Sequence, residues 1–362
     1  MMDDAYYMNI ALQLAEAVQA QTSPNPPVGA VIVKSGAIVG MGAHLQSGEA
    51  HAEVVALNMA QERAKEATMY VTLEPCSHTG KTPPCVEAIK KSKVKRVVVA
   101  TIDPHEKVDG RGIAMLQEAG VEVTVGVLQE RADRLYQVFF HYIKQRYPYV
   151  TLKTAMTLDG KIASSTGDSK WITGATARLD GHRYRHQHDA ILVGVGTVLA
   201  DNPRLTSRLL HGNNPLRIIL DTNLRTPIDA FVVTDEAAPT WIFVGADVAL
   251  SRIEAYEQQE QVQIIQLPVA QVEIESVLTY LGEKSITSVY VEGGAQIHGA
   301  FLQEGLVDQY VTYIAPKLIG GQTAKTAMEG KGVAEVVDAL KLTIKTVEMI
   351  GEDIKIVGRK EG

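Results

Sequence analysis

Cysteine is nearly absent from this chain: 362 residues contain two, Cys76 and Cys85. A disulfide-stapled secreted domain needs more cysteines and an oxidising compartment. The opening stretch MMDDAYYMNIALQLAEAV is acidic and helical in period, with no basic n-region and no small-residue cleavage site, so no signal peptide is legible. A disulfide between the two is therefore the less favoured use, and reduced thiols available to a metal fit better. No apolar run approaches the roughly 20 residues of a membrane span. Nor is there a basic excess: 35 Lys and Arg face 42 Asp and Glu, a net charge of −7, which argues against a dedicated nucleic-acid binder. Internal repeats and low-complexity tails are also missing. What is present is 46% apolar and 21% charged residues, the balance of a globular, cytoplasmic protein long enough for two cores.

Apolar periodicity orders the chain. Ile10, Leu14 and Val18 stand at helical spacing within 4–20. The runs 28–33 and 37–40 flank Lys34-Ser35-Gly36, a hairpin signal. A helix from about His51, a strand at 69–73, a helix opening at Pro83-Pro84 and a strand at 96–100 follow. Residues 111–119 read as helix, 121–125 as strand and 129–145 as a long helix that stops before Pro148. A second series of strands begins at 149–153 and continues at 190–193, 216–220, 240–244 and 288–291. The Gln- and Glu-rich stretch 250–275 reads as a surface helix with connections. Alternating strands and helices predict α/β layers, divided into domains 1–147 and 148–362.

His51, Cys76 and Cys85 offer three zinc ligands, and Glu53 a carboxylate that need not be one. A closed structural zinc site takes four protein ligands, whereas a catalytic site leaves a position for water. One His and two Cys, with Glu as general acid/base, mark the zinc-dependent base deaminases. His51 and Glu53 fall in the first turn of one predicted helix. Cys76 follows a strand end and Cys85 opens the next helix, so two helix N-termini face one point and favour thiolates. The competing reading is a closed site with His78 as fourth ligand.

Eight residues separate the cysteines, more than in short-spaced deaminases. PCSHTGKTPPC, with SPNPPVGAVIV and GAHLQSGEAHAE, resembles the deaminase half of the bifunctional riboflavin-biosynthesis deaminase–reductase family. The resemblance implies that Asn25, His44, Lys81 and Thr82 bind a pyrimidine nucleotide, the last two at its ribose phosphate. Without it, Asn25 is a turn residue, His44 a structural histidine and Lys81 a solvated loop lysine. The family reads Asp-Pro-Asn-Pro where this chain has Asp103-Pro104-His105-Glu106, so His105 and Glu106 carry no assignment.

In the second half, TLKTAMTLDGKIAS, GDSKWIT, GVGTVLADNPRLT and VEGGAQIHGAFL stand out. Gly194-Val195-Gly196-Thr197 is half a dinucleotide fingerprint, with Leu199 in place of the third glycine. By themselves such turns are also tight strand–helix connections. Together the four segments resemble the reductase half of the same family. The resemblance implies substrate contacts from Lys153, Ser169, Arg185, Leu205, Arg208 and Glu292, with Arg185 and Arg208 suited to a phosphate. It implies an NADPH site formed by Ala155, Trp171, Thr173, Thr197, Asp201 and the segment Gly294, Ala295, Gln296, Ile297, His298, Gly299 and Ala300. It further implies a cytidine-deaminase-like three-layer α/β/α domain followed by a dihydrofolate-reductase-like α/β domain. One Zn2+ per chain, NADPH, a phosphorylated pyrimidine substrate, no nucleic acid or membrane partner and a homo-oligomer complete the expectation. Two readings compete with it: a nucleoside or tRNA deaminase with an accessory domain, and a binding module with structural zinc.

Overall fold

The structure is a computed structural model that describes residues 3–78, 83–106, 108–256 and 258–360. The chain forms two compact units, Met1–Arg146 and Tyr147–Gly362.

The first unit contains α1 (Asp4–Ala17), β1 (Gly29–Lys34), β2 (Ala37–Ala43), α2 (Ala52–Ala60), β3 (Thr68–Val71), α3 (Cys85–Ser92), β4 (Arg96–Val99), α4 (Arg111–Glu118), β5 (Glu122–Val125) and α5 (Gln129–Gln145). The sheet order is β2-β1-β3-β4-β5. The β1/β2 and β1/β3 pairs are antiparallel, the other two parallel. Strand alternation splits the apolar residues between two cores. Ala30 and Ile32 pack with α2, α3 and α4, while Val31 and Val33 pack with α1 and α5. The result is helix, sheet, helix. The buried stripe of α1 is Tyr7, Met8, Ala11, Leu12 and Ala15, and Ile10 and Leu14 only flank it. The small residues win this face because α1 lies close on β1: a Cβ at Gly29 would stand 2.0 Å from the Ala11 carbonyl oxygen.

The second unit contains β6 (Tyr149–Thr157), α6 (Ala175–Gln187), β7 (Ala190–Gly194), α7 (Val195–Asp201), β8 (Leu216–Leu220), α8 (Phe231–Thr234), β9 (Thr240–Val244), α9 (Leu250–Glu254), β10 (Val262–Gln266), α10 (Ile274–Glu283), β11 (Ser288–Val291), α11 (Ala295–Glu304), β12 (Gln309–Ala315), β13 (Leu342–Ile350) and β14 (Asp353–Lys360). Its nine strands run β10-β9-β8-β7-β11-β6-β12-β14-β13. The first seven are parallel, and β14 and β13 are added antiparallel. Strands such as β7 and β8 are buried throughout, as a parallel sheet covered on both faces requires.

Two sequence expectations change here. The stretch 250–275 is not one surface helix: it holds the short α9 and the edge strand β10. Only Ile265 of β10 is fully buried, so the polar faces of Gln263 and Gln266 hide its strand character. The C-terminal strands β12, β13 and β14 also lie beyond the expected set. Residues of β13 are mostly exposed, and no buried face marks it in the sequence.

Candidate active sites

His51 is the N-cap residue of α2, with no capping hydrogen bond from its own side chain. Its ring is thus left to the two cysteine sulfurs, and α2 places Glu53 about half a turn on. Cys85 is the first residue of α3, and its backbone N–H donates to Cys76 Sγ at 3.3 Å. The Val86 N–H donates to the Cys76 carbonyl at 3.3 Å. A helix N-terminus therefore supports the sulfur that follows β3.

His51 Nδ1 lies 3.2 Å from Cys85 Sγ and 3.6 Å from Cys76 Sγ. All three ligand atoms fall within 4.8 Å of one another. Zinc bonds of about 2.3 Å to sulfur and about 2.0–2.1 Å to imidazole set a tetrahedral N···S edge of about 3.6 Å. The donor set fits zinc. The two thiols also compete for one negative charge: the hydrogen bond from Cys85 draws Cys76 down to about 4, and the same contact raises Cys85. A divalent cation relieves that competition by ionising both.

Glu53 is 3% exposed. Burial, and then the nearby Cys76 charge, push its carboxyl up to about 7, a value suited to taking up and releasing a proton. Beside His51, His44 Nδ1 meets the Ala50 carbonyl at 3.3 Å and His44 Nε2 meets Asn25 Nδ2 at 3.2 Å. A carbonyl only accepts, so Nδ1 carries the proton and Nε2 accepts from Asn25. The His44 ring stands edge-on to His51, centroids 5.2 Å apart. Asn25, His44 and the ligand cluster are thus contiguous. Lys81 and Thr82 lie outside the described residues.

The loop after β4 is tied by a residue that sequence reading passed over. Buried Glu74 accepts from the backbone N–H of Gly112 at 2.9 Å and Gly110 at 3.0 Å, closing the start of α4. His105, in the loop that departs from the family pattern, stacks on His78, centroids 5.9 Å apart. That contact is visible only in three dimensions.

In the second unit a cavity of about 890 Å³ opens along the C-terminal ends of β6, β7, β8 and β11. Parallel α/β sheets bind ligands at this edge. Of the expected residues, Lys153, Ala155, Ser169, Thr197, Asp201, Glu292, Gly294, Ala295, Gln296, Ile297, His298 and Ala300 line it. Glu292 is gripped by Arg185 through Nε at 2.6 Å and Nη2 at 3.0 Å, with Lys153 Nζ at 3.7 Å. Burial alone would raise the Glu292 carboxyl, but Arg185 and Lys153 hold it at about 2.

Several expected contacts sit elsewhere. Arg185 spends its donors on Glu292 and on the Thr206 carbonyl, 2.9 Å away, so the guanidinium is committed to the protein rather than open to a phosphate. Arg208 is exposed and close enough, with Arg185, to disfavour a proton on His182. The Leu205 side chain is in the core. Gly299 is a packing residue: a Cβ there would stand 1.4 Å from the Glu329 carbonyl oxygen. Thr173 is buried, and Trp171 is 60% exposed with Arg178 over its ring at 4.5 Å. None of these six lines the cavity among the described residues. Sequence reading missed Thr222, Asn223 and Arg225, which do. Their signal was a polar turn directly after a buried parallel strand.

Two family models match the chain. One described as the cytidine and deoxycytidylate deaminase zinc-binding region matches residues 1–101, and one described as the RibD C-terminal domain matches residues 148–356. The riboflavin biosynthesis protein RibD of Bacillus amyloliquefaciens is 52% identical over 98% of this chain and 95% of its own length. That of Escherichia coli strain K12 is 41% identical, covering 98% of each. A solved Thermotoga maritima structure, described as a diaminohydroxyphosphoribosylaminopyrimidine deaminase/5-amino-6-(5-phosphoribosylamino)uracil reductase, superposes with a TM-score of 0.89 at 38% identity over 98% of both chains. Acinetobacter baumannii RibD superposes with a TM-score of 0.88 at 37% identity over 99% of both. A zinc-binding deaminase domain and a reductase domain thus follow one another along nearly the full length of these relatives, and the chain belongs to the RibD family of riboflavin-biosynthesis proteins.

Proposed function

We propose that residues 1–147 deaminate 2,5-diamino-6-ribosylamino-4(3H)-pyrimidinone 5′-phosphate. Residues 148–362 then reduce the ribosyl group of the product to ribityl, giving 5-amino-6-ribitylamino-uracil 5′-phosphate. The observation that carries the reading is the pairing, in one chain, of Glu53 beside an open three-ligand set with a separate cavity built around Lys153 and Glu292. The printed description of the Thermotoga maritima protein supports the substrate class.

His51, Cys76 and Cys85 hold one zinc per chain, and bound zinc supplies an acidified water. Glu53 accepts a proton and delivers it to the departing amine. Asn25 and His44 orient the base, with Lys81 and Thr82 toward its phosphate. In the cavity, bound NADPH supplies a hydride. Lys153, Ser169 and Glu292 position the sugar, and the turns at Thr197 and Gly294 bring backbone N–H groups to the coenzyme. Among the described residues no helix is long and apolar enough to cross a membrane, and we place the protein in the cytoplasm as a homo-oligomer.

NADPH oxidation, followed by absorbance on the diaminopyrimidine nucleotide, tests the order of steps. Wild type should oxidise NADPH and Glu53→Ala should not. Equal oxidation in both would mean that the reductase takes the undeaminated nucleotide, and the proposed order would fall.

A further inference from the structure

The loop that carries Ser169 runs between β6 and α6, over 158–174. Ile162, Ala163, Gly167 and Ser169 line the cavity, so the position of this loop sets one of its walls. Only Ala163 and Thr173 of the loop are buried, and a segment with so little buried surface does not hold its own position. Its largest side chain, Trp171, is exposed. Bonds among Ser164, Thr166 and Asp168 shape the turn itself but do not tie it to the sheet. The ion pair between Lys170 Nζ and Asp201 Oδ1, at 3.9 Å, joins two largely exposed side chains, and pairs of that kind contribute little.

The hold comes from the segment that follows β12. Strands β6 and β12 are parallel neighbours, so the segments after them leave the sheet side by side. At the start of the loop, Asp159 Oδ2 accepts from the Gly320 N–H at 2.7 Å, and the Lys325 carbonyl takes the Ile162 N–H at 2.9 Å. Just past Ser169, Lys317 Nζ donates to the Trp171 carbonyl at 2.8 Å and to the Ile172 carbonyl at 2.7 Å. An ammonium donor makes both bonds charge-assisted. Thr173 and Gly174, the next residues, are held by Arg178 and Asp353 at the start of α6.

We infer that Lys317 is a positioning residue of the second site: it fixes the loop that presents Ser169 to the phosphorylated sugar. Lys317 itself is not among the described residues that line the cavity, so it acts through the loop. The inference rests on the reading of Ser169 given above. A contact that holds substrate and transition state alike appears in KM and leaves kcat unchanged.

Steady-state NADPH oxidation by the zinc-loaded full chain on 5-amino-6-(5-phosphoribosylamino)uracil separates the two constants. Lys317→Met keeps an apolar stem and removes the charge. It should raise KM about tenfold with kcat within about twofold. Lys317→Arg, which can still donate to both carbonyls, should bring KM back to within about threefold of wild type. In a Ser169→Ala background, Lys317→Met should add much less than tenfold, because the contact presented by the loop is already gone. Ammonia release from the diaminopyrimidine nucleotide should be the same in all of these variants. Unchanged KM in Lys317→Met would overturn the inference. So would a fall in kcat, with or without a change in KM, and so would a full tenfold effect in the Ser169→Ala background. A wild type that does not oxidise NADPH on this nucleotide would remove the reading of Ser169 itself, and the inference with it.

Discussion

Arg185 and Glu292 meet side on, with Nε to Oε1 at 2.6 Å and Nη2 to Oε2 at 3.0 Å. Both are largely buried, with side chains 14% and 12% exposed. Arg185 comes from α6 and Glu292 follows β11, so the pair locks a helix to the cavity edge and aims the carboxylate that Lys153 also faces.

Breaking one side of this pair leaves a buried charge alone. Arg185→Met should destabilise the protein by about 3–5 kcal/mol, and thermal unfolding should show it as a lower midpoint. Adding Glu292→Gln to Arg185→Met should recover much of the loss, because the stranded charge is then gone. A single variant as stable as wild type would contradict the role given to the pair.

Acid should unfold the second unit in two stages. His182 is held down to about 4 from 6.5, by burial and then by Arg185 and Arg208. The unfolded chain binds that proton first, so stability is whole above pH 6.5 and falls as pH drops toward 4. Glu292 is held at about 2 against 4.5. Its contribution is whole above pH 4.5 and falls as pH drops toward 2. Urea midpoints across pH 7 to 3 should therefore decline throughout, and His182→Gln should make the upper part shallower without flattening it, because burial also holds His298 down to about 4 and lowers His188. An unchanged upper part in that variant would assign the loss to other groups.

Gly42 is where β2 meets α2. A Cβ there would stand 2.6 Å from the Ala52 carbonyl oxygen and 2.7 Å from Val55 Cβ. Gly42→Ala must lift the first turn of α2, which carries His51 and Glu53. Overpacking of this kind costs about 1–3 kcal/mol. The expected result is less zinc per chain after dialysis, by metal analysis, and slower ammonia release, with NADP+ binding unchanged. Full zinc content and normal ammonia release would show that α2 accommodates the methyl group.

The deaminase site was legible because its parts are local. His51 and Glu53 share a helix turn, Cys76 follows a strand and Cys85 begins a helix, and each signal lies within a few residues. The resemblance to a known family then joined them. The reductase cavity was less so. Lys153 lies within β6, and Thr197, Arg225 and Glu292 follow β7, β8 and β11; nothing in the local sequence says which of these segments meet. Arg185 and Arg208 look alike as free cations in sequence, yet one is committed to Glu292 and the other is exposed.

By itself the sequence determined that there are two α/β domains and which residues can hold zinc. These follow from periodicity and ligand chemistry, both short-range. The tertiary structure alone decided that Ala11 and Ala15 rather than Ile10 and Leu14 face the first core, that 262–266 is an edge strand, that His78 and His105 stack, and that Asp221 is buried while Arg225 lines the cavity. Those outcomes depend on strand order and on close approach between distant segments, and no local propensity encodes either.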